Sequence, residues 1–381
     1  MQALRMTVAV VGDFSYLPVG EQWQRAFHIA LFATNISGSR PVQNPMVETR
    51  LRTFSANSRR TSLRSNKPAR NRRPSGGPLA AKMSSLWLVT MFQKFDYEEA
   101  FSRNIGWLTH DEQARLRASR VAIAGLGGVG GAHLLTLVRL GIGSFRIADF
   151  DHFDQANFNR QAGASMQSVG RAKVEVLKSM AKDINPELEI EVFDAGVNAD
   201  NIDRFLDGVD AYVDGLDFFA FEARQSTFAA CAALRIPAVT AAPLGMGVAW
   251  LNFLPGGMTF EEYFGWRSQS DDEKALRFLV GLSPRLLQDY LVDESRLDLN
   301  AKSGPSTAMA CDLCAGVAAT QVLKILLGRG TVLAVPRSGQ FDAYRDKMVR
   351  TWRPGGYRNP LQQLTLFVAR RRLAAMRRRK K

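Results

Sequence analysis

Five glycines fall within seven positions of the stretch VAIAGLGGVGG, at Gly125, Gly127, Gly128, Gly130 and Gly131. The preceding Val121–Ala124 is apolar and reads as a buried strand. Gly125, Gly127 and Gly130 satisfy GxGxxG between that strand and a helix. Glycine lets a backbone turn tightly and approach phosphate oxygens, and a helix amino terminus favours their negative charge. An acid to hold ribose hydroxyls is expected about 20 residues further on. Asp149, at the end of FRIAD, stands there, and Asp151 follows. These residues specify a nucleotide, as a dinucleotide for hydride transfer would also require.

The next segment separates the two chemistries. Arg160 and, thirteen residues later, Lys173 can converge on a chain of phosphates. Attack at the α-phosphorus of a triphosphate adds charge to the departing pyrophosphate. Cations placed there stabilise the transition state more than the ground state. Taken singly, Arg160 reads as a surface ion pair and Lys173 as a solvated helix face. Their joint placement points to a triphosphate and away from a nicotinamide oxidoreductase.

The elements that must position these residues alternate. Strands are expected at Val121–Ala124, Ser144–Ala148, Glu189–Phe193, Ala211–Val213 and Pro237–Thr240. Helices are expected at Gly131–Leu140, Ala172–Ile184, Ala199–Leu206 and Phe221–Leu234. Such alternation implies right-handed crossovers and a Rossmann-like, doubly wound α/β fold with a mainly parallel sheet. Upstream, Thr109 followed by Glu112 has the spacing of a capping box. Residues 255–304 read as a helical insertion, and a long apolar helix, Ala308–Leu327, should stop at Gly328. The domain reading is a leader at 1–92, a catalytic domain at 93–335 and an extension at 336–381.

The net charge of +14 is uneven: residues 1–93 carry +10 and residues 369–381 carry +8, which leaves −4 between them. Basic tails often contact nucleic acid or anionic membrane, but solvated, disordered tails are the expectation here. The C-terminal LTLFVARRRLAAMRRRKK also reads as a basic helix. The Arg- and Ser-rich leader resembles an organellar transit peptide, and Met83 and Met91 offer alternative starts. The three cysteines make no secreted disulfide framework. No run of about 18 charge-free apolar residues marks a membrane span. A cytoplasmic protein is the expectation.

In order and spacing, GLGGVG, ADFD, NFNRQ, GRAKVEVL, INPELEI and VDGLD resemble the ThiF/MoeB/HesA family, bacterial relatives of ubiquitin-activating enzymes. The resemblance covers Phe101–Phe253 and the helix at 308–327. It implies an adenylyltransferase that uses ATP and Mg²⁺ to convert a carboxylate to an acyl-adenylate. It assigns Gly125, Gly127, Gly128 and Gly130 to the phosphate turn and Asp149 to the ribose, with Asp151 nearby. Asn157, Arg160 and Lys173 would meet the triphosphate, and Asp217 would bind Mg²⁺. Arg103 would reach into the site of a second subunit, which implies a homodimer. The implied partner is a ubiquitin-like or sulfur-carrier protein ending in Gly-Gly.

Two positions depart from the family pattern: Phe218 stands where Asn usually follows the metal-binding Asp, and Ala156 replaces a small polar residue. Cys311 and Cys314 form a single CxxC inside an apolar helix, so core packing is expected and a four-ligand zinc site is not. Residues 241–307 hold no cysteine, and Cys231 lies on an expected core helix. This disfavours a thioester-forming enzyme. Three alternatives stay open: a tRNA-modifying enzyme of the threonylcarbamoyladenosine dehydratase kind, with RNA as a secondary partner; a nucleotide-binding protein without catalysis; and the disfavoured oxidoreductase.

Overall fold

The computed structural model describes residues 94–293, 296 and 304–379. The basic leader lies outside the described residues. The described chain begins with a short helix α1 (Tyr97–Ala100) and α2 (His110–Ala118). The Thr109–Glu112 capping box is present in both directions at the start of α2. At its far end Arg115 donates to the carbonyl of Leu326, a cation placed on a helix carboxyl terminus.

The core is one eight-stranded sheet: β1 (Arg120–Ala124), β2 (Ser144–Ala148), β3 (Glu189–Phe193), β4 (Ala211–Asp214), β5 (Ala238–Leu244), β6 (Gly247–Phe253), β7 (Arg337–Asp342) and β8 (Lys347–Trp352). Its order is β3-β2-β1-β4-β5-β6-β7-β8. The first five strands run parallel, with Val121 opposite both Phe145 and Ala211. The crossovers are α3 (Gly128–Arg139), α4 (Lys173–Ile184), α5 (Ile202–Leu206) and α6 (Phe221–Ala233).

Alternation along β1 shows why both faces are covered. Val121 and Ile123 join one core with Leu134, Leu177 and Val322, while Ala122 and Ala124 join the other with Phe205 and Phe228. A strand buried on both sides has to be apolar throughout, as RVAIA is after its first residue.

The sheet then continues beyond the sequence expectation. Strand β5 runs four residues past Thr240 and turns into the antiparallel β6, β7 and β8. Residues 336–352, read from sequence as part of an extension, therefore lengthen the same sheet. The 255–304 stretch supplies α7 (Phe260–Phe264) and α8 (Asp271–Leu282), whose Phe264, Trp266 and Phe278 pack on the second face. Helix α9 (Ala308–Leu327) ends at Gly328 in the left-handed conformation (φ 62°). By length and composition α9 could cross a membrane, yet half of its apolar window is buried in the fold, where Cys314, Ala318 and Val322 join the sheet core. The final element, α10 (Pro360–Arg379), makes the C-terminal basic stretch a helix and corrects the expectation of a disordered tail there.

Candidate active site at the β1–β4 switch point

Strand order reverses between β1 and β4, and their carboxyl ends open a crevice where doubly wound folds bind ligands. The glycine turn occupies it. Gly125 has φ +83°, and an added Cβ would lie 2.6 Å from the Leu216 Cα and overlap the Gly215 carbonyl. A Cβ at Gly130 would overlap the Gly125 carbonyl oxygen. These two glycines let the turns after β1 and β4 touch.

Gly127 is different. A Cβ there would meet only the Gln161 amide nitrogen, at 3.8 Å, so its open side faces free space. Helix α3 starts at Gly128, three residues before the sequence expectation, and no side chain caps it. Its first amides are thus offered to an anion.

Asp149 holds this turn in place. One carboxylate oxygen accepts from the Leu126 amide at 2.6 Å and the other from the Asp151 amide at 2.8 Å. Burial pushes its carboxyl above the ordinary range, and those two bonds and Lys173 oppose the shift. The role expected of Asp149 from sequence was ribose binding; the structure adds that it clamps the phosphate turn.

Lys173, at the first residue of α4, is buried, and its ammonium bonds the half-exposed Asp151 at 2.9 Å. A cation at a helix amino terminus opposes the helix dipole, which an incoming anion relieves. On the other flank the Arg160 stem would lie 3.5 Å from a Cβ on Gly128. Its guanidinium donates to Ala156 O and Asn159 Oδ1. Asn157 sits one turn earlier, with Oδ1 accepting from the Asp154 amide.

Asp217 is exposed on the turn after β4, two residues beyond Gly215, and one oxygen accepts from the Phe219 amide at 2.9 Å. No cluster of three or more His, Cys, Asp or Glu capable of holding a metal occurs among the described residues. A single exposed carboxylate fits Mg²⁺ held mainly by phosphate oxygens and water, the usual mode for that ion. When bound, the ion would screen phosphate charge.

The structure does not bring Arg103 to this crevice within the chain. Its neighbour Asn104 donates to the Leu140 carbonyl, at the far end of α3. Twelve helical residues, about 18 Å, separate that end from the glycine turn.

Four residues escaped the sequence reading. Arg224 is buried, bonds Asp214 at 2.9 Å, and donates to the carbonyls of Leu216 (2.7 Å) and Phe218 (3.2 Å). Thr240 also donates to Asp214, at 3.0 Å. This buried pair fixes the turn that carries Asp217. Phe150, beside Asp149, is 72% exposed at the end of β2. Gln161 is buried beside Gly127 with its Oε1 unpartnered. Gln161, the last letter of NFNRQ, and Phe150, the third letter of ADFD, lay within quoted motifs, whereas Arg224 and Thr240 lay in none. Phe218, the departure noted in the sequence, packs against Phe278 of the insertion at 5.2 Å between ring centroids. Cys311 and Cys314 are buried, with Cys311 abutting Gly128.

Fold and crevice together define a doubly wound α/β protein with a phosphate-type turn at its switch point. Residues 101–364 match the ThiF family, and the chain belongs to that family. It is 36% identical over 120 residues to the tRNA threonylcarbamoyladenosine dehydratase of Haemophilus influenzae, covering 31% of this chain and 46% of the relative. It is 28% identical over 228 residues to ubiquitin-like modifier-activating enzyme 5 of Xenopus laevis, covering 57% and 53%. The chain spans about half the length of these curated relatives. Among solved structures it shares its fold with PaaA, with a TM-score of 0.53 and 21% identity over 72% of this chain and 91% of PaaA. It also shares its fold with Escherichia coli MccB, with a TM-score of 0.50 and 20% identity over 63% of each chain.

Proposed function

We propose that this protein uses ATP to adenylate a carboxylate. One carboxylate oxygen attacks the α-phosphorus, the bond to the bridging oxygen of pyrophosphate breaks, and the acyl-adenylate forms. The observation that carries the reading is the open Gly127 at the uncapped start of α3, flanked by Arg160 and Lys173. The α3 amides cradle phosphate, while the two cations take up charge as pyrophosphate departs. Asp149 and Asp151 stand on the ribose side. Asp217 would hold Mg²⁺, which would supply charge screening for the phosphates. Arg103, remote from its own crevice, enters that of a second copy, so the working enzyme is a homodimer.

The acyl substrate we favour is the C-terminal glycine of a ubiquitin-like or sulfur-carrier protein. The ubiquitin-like modifier-activating relative supports this, because its similarity extends over 57% of the chain. The second reading is a modified adenosine in tRNA, which the 36% identity to the dehydratase favours. ATP–pyrophosphate exchange separates them. Exchange that needs a Gly-Gly carrier protein supports the first reading, and exchange that needs tRNA supports the second. ATP binding with no exchange in either case would refute adenylation.

A further inference from the structure

The far edge of the sheet carries a feature that phosphate chemistry does not use. From Lys347 to Lys381 the sequence holds 12 Lys and Arg and no acid, whereas residues 94–346 carry a net −8. Helix α10 in this segment is seated on α8: Arg370 bonds Glu273, with Nε at 3.0 Å, and Leu366 is buried. The opposite side of α10 is also apolar. Leu361, Leu364 and Val368, at i, i+3 and i+7, are exposed by 57%, 59% and 39%.

A groove of about 420 Å³ runs between α10 and the Pro284–Leu287 turn. Leu364 and Val368 line one wall and Leu286 and Leu287 the other, with Lys347 and Arg285 as its cations. Among the described residues, Glu273 pairs with Arg277 and Arg370, and Asp289 with Arg345. Arg353, just past β8, is 8% exposed; its Nε has no partner and its Nη1 donates only to the Trp352 carbonyl at 3.2 Å. Burial pushes the Arg353 guanidinium below its ordinary value; Tyr263 opposes the shift and Arg285 adds to it. Arg285 and Lys347 are exposed at the rim of the groove, where a carboxylate would gain charge-assisted hydrogen bonds.

We propose that this groove docks an acidic protein segment that inserts an apolar side chain between α10 and the 284–287 turn. Charge chooses the occupant. An acidic occupant complements Lys347 and Arg285, whereas residues 1–93 and 369–381 carry net charges of +10 and +8. Aliphatic walls offer neither the stacking rings nor the base-edge donors that read nucleic acid. The groove lies four strand spacings from β4, roughly 19 Å, so the docking does not rest on adenylation.

The test pans a random dodecapeptide display library on the full chain, with counter-selection on a Lys347→Glu/Leu364→Asp variant. Recovered peptides should concentrate Asp and Glu around one large apolar residue. A labelled peptide of that set, read by fluorescence anisotropy, should bind at least tenfold more weakly to Lys347→Glu, Leu364→Asp or Val368→Ser. It should bind within twofold of the parent to Arg139→Glu, an exposed change on α3. These side chains are exposed or at the groove surface, and thermal melting of each variant checks that the fold is intact. The proposal is overturned if no peptide is enriched, if the enriched peptides lack acids, or if they bind the variants equally. It is overturned too if phosphatidylserine vesicles, bulk tRNA or a second copy of the chain, rather than a peptide, lose binding in those variants.

Discussion

Gly127 and Gly130 separate a ligand cradle from a merely tight turn, because the structure assigns their missing side chains to different neighbours. In Gly130→Ala the new methyl would sit 2.7 Å from the Gly125 carbonyl carbon and overlap its oxygen. Carbon atoms prefer about 3.5–4.0 Å, so the turn would have to move by about 1 Å. Overpacking of this kind costs about 1–3 kcal/mol, and more where backbone is the obstacle. In Gly127→Ala the methyl meets nothing closer than 3.8 Å, and φ is −71°, outside the left-handed region. Its cost in stability should be smaller than that of Gly130→Ala, because no backbone atom stands in the way. The methyl would instead occupy the space in front of the α3 amides, where a phosphate must approach. Denaturant unfolding and calorimetric ATP titration of both variants read the two effects separately. Gly127→Ala should lose less stability than Gly130→Ala and bind ATP at least tenfold more weakly, whereas Gly130→Ala should lose stability first. Parent-like ATP affinity in Gly127→Ala would refute the assignment of that face to phosphate.

Further outcomes follow from the same geometry. Replacing Arg224 by Met strands the buried Asp214 carboxylate and should cost about 3–5 kcal/mol in chemical denaturation. Arg160→Ala and Lys173→Ala should reduce pyrophosphate exchange about 10²–10³-fold while melting near the parent temperature, since both are placed to act on developing charge. His133 is fully buried with neither ring nitrogen partnered, and burial lowers its pKa to about 3. Its native form is neutral, so the unfolded chain gains the proton as pH falls below about 6.5. The stability it contributes is complete above that pH and is lost on descent toward about 3, at up to about 1.4 kcal/mol per pH unit. Unfolding free energies at pH 7 and 5 should therefore converge in His133→Leu, and an unchanged acid slope would contradict the assignment. Phe150→Ser should weaken ATP binding by about 1–3 kcal/mol if the exposed ring stacks on the base, which the same calorimetric titration measures.

Much of the parallel half of the fold was legible because its signals are local. Strands β1, β2 and β3 are short, apolar or alternating, and bounded by glycines and turns, and Gly328 marks the end of α9 in the chain itself. The antiparallel half was not. Strand β7 reads RSGQFD, and its buried Ser338, Gln340 and Asp342 are polar, so no apolar run announces it. Their burial depends on partners distant in sequence, such as Ser283 on Gln340 and Tyr290 on Asp342. The start of α3 was placed late because Gly128 and Gly130 have poor helix propensity, which the packing of the turn overrides. Within the site, residue types and spacing pointed to the cradle and its cations. They could not show that Asp149 clamps the turn, that the charged Arg224 is buried, or that Arg103 lies about 18 Å from its own crevice. Those are tertiary facts.

The central claim is that ATP is cut at the α-phosphate in the crevice between β1 and β4. Incubation with α-labelled ATP, Mg²⁺ and either a Gly-Gly carrier protein or tRNA, followed by separation of labelled AMP from labelled ADP, tests it directly. Labelled AMP, with pyrophosphate released in equal amount and both abolished in Lys173→Ala, is the predicted result. Labelled ADP, or AMP that persists unchanged in Lys173→Ala, would contradict the account.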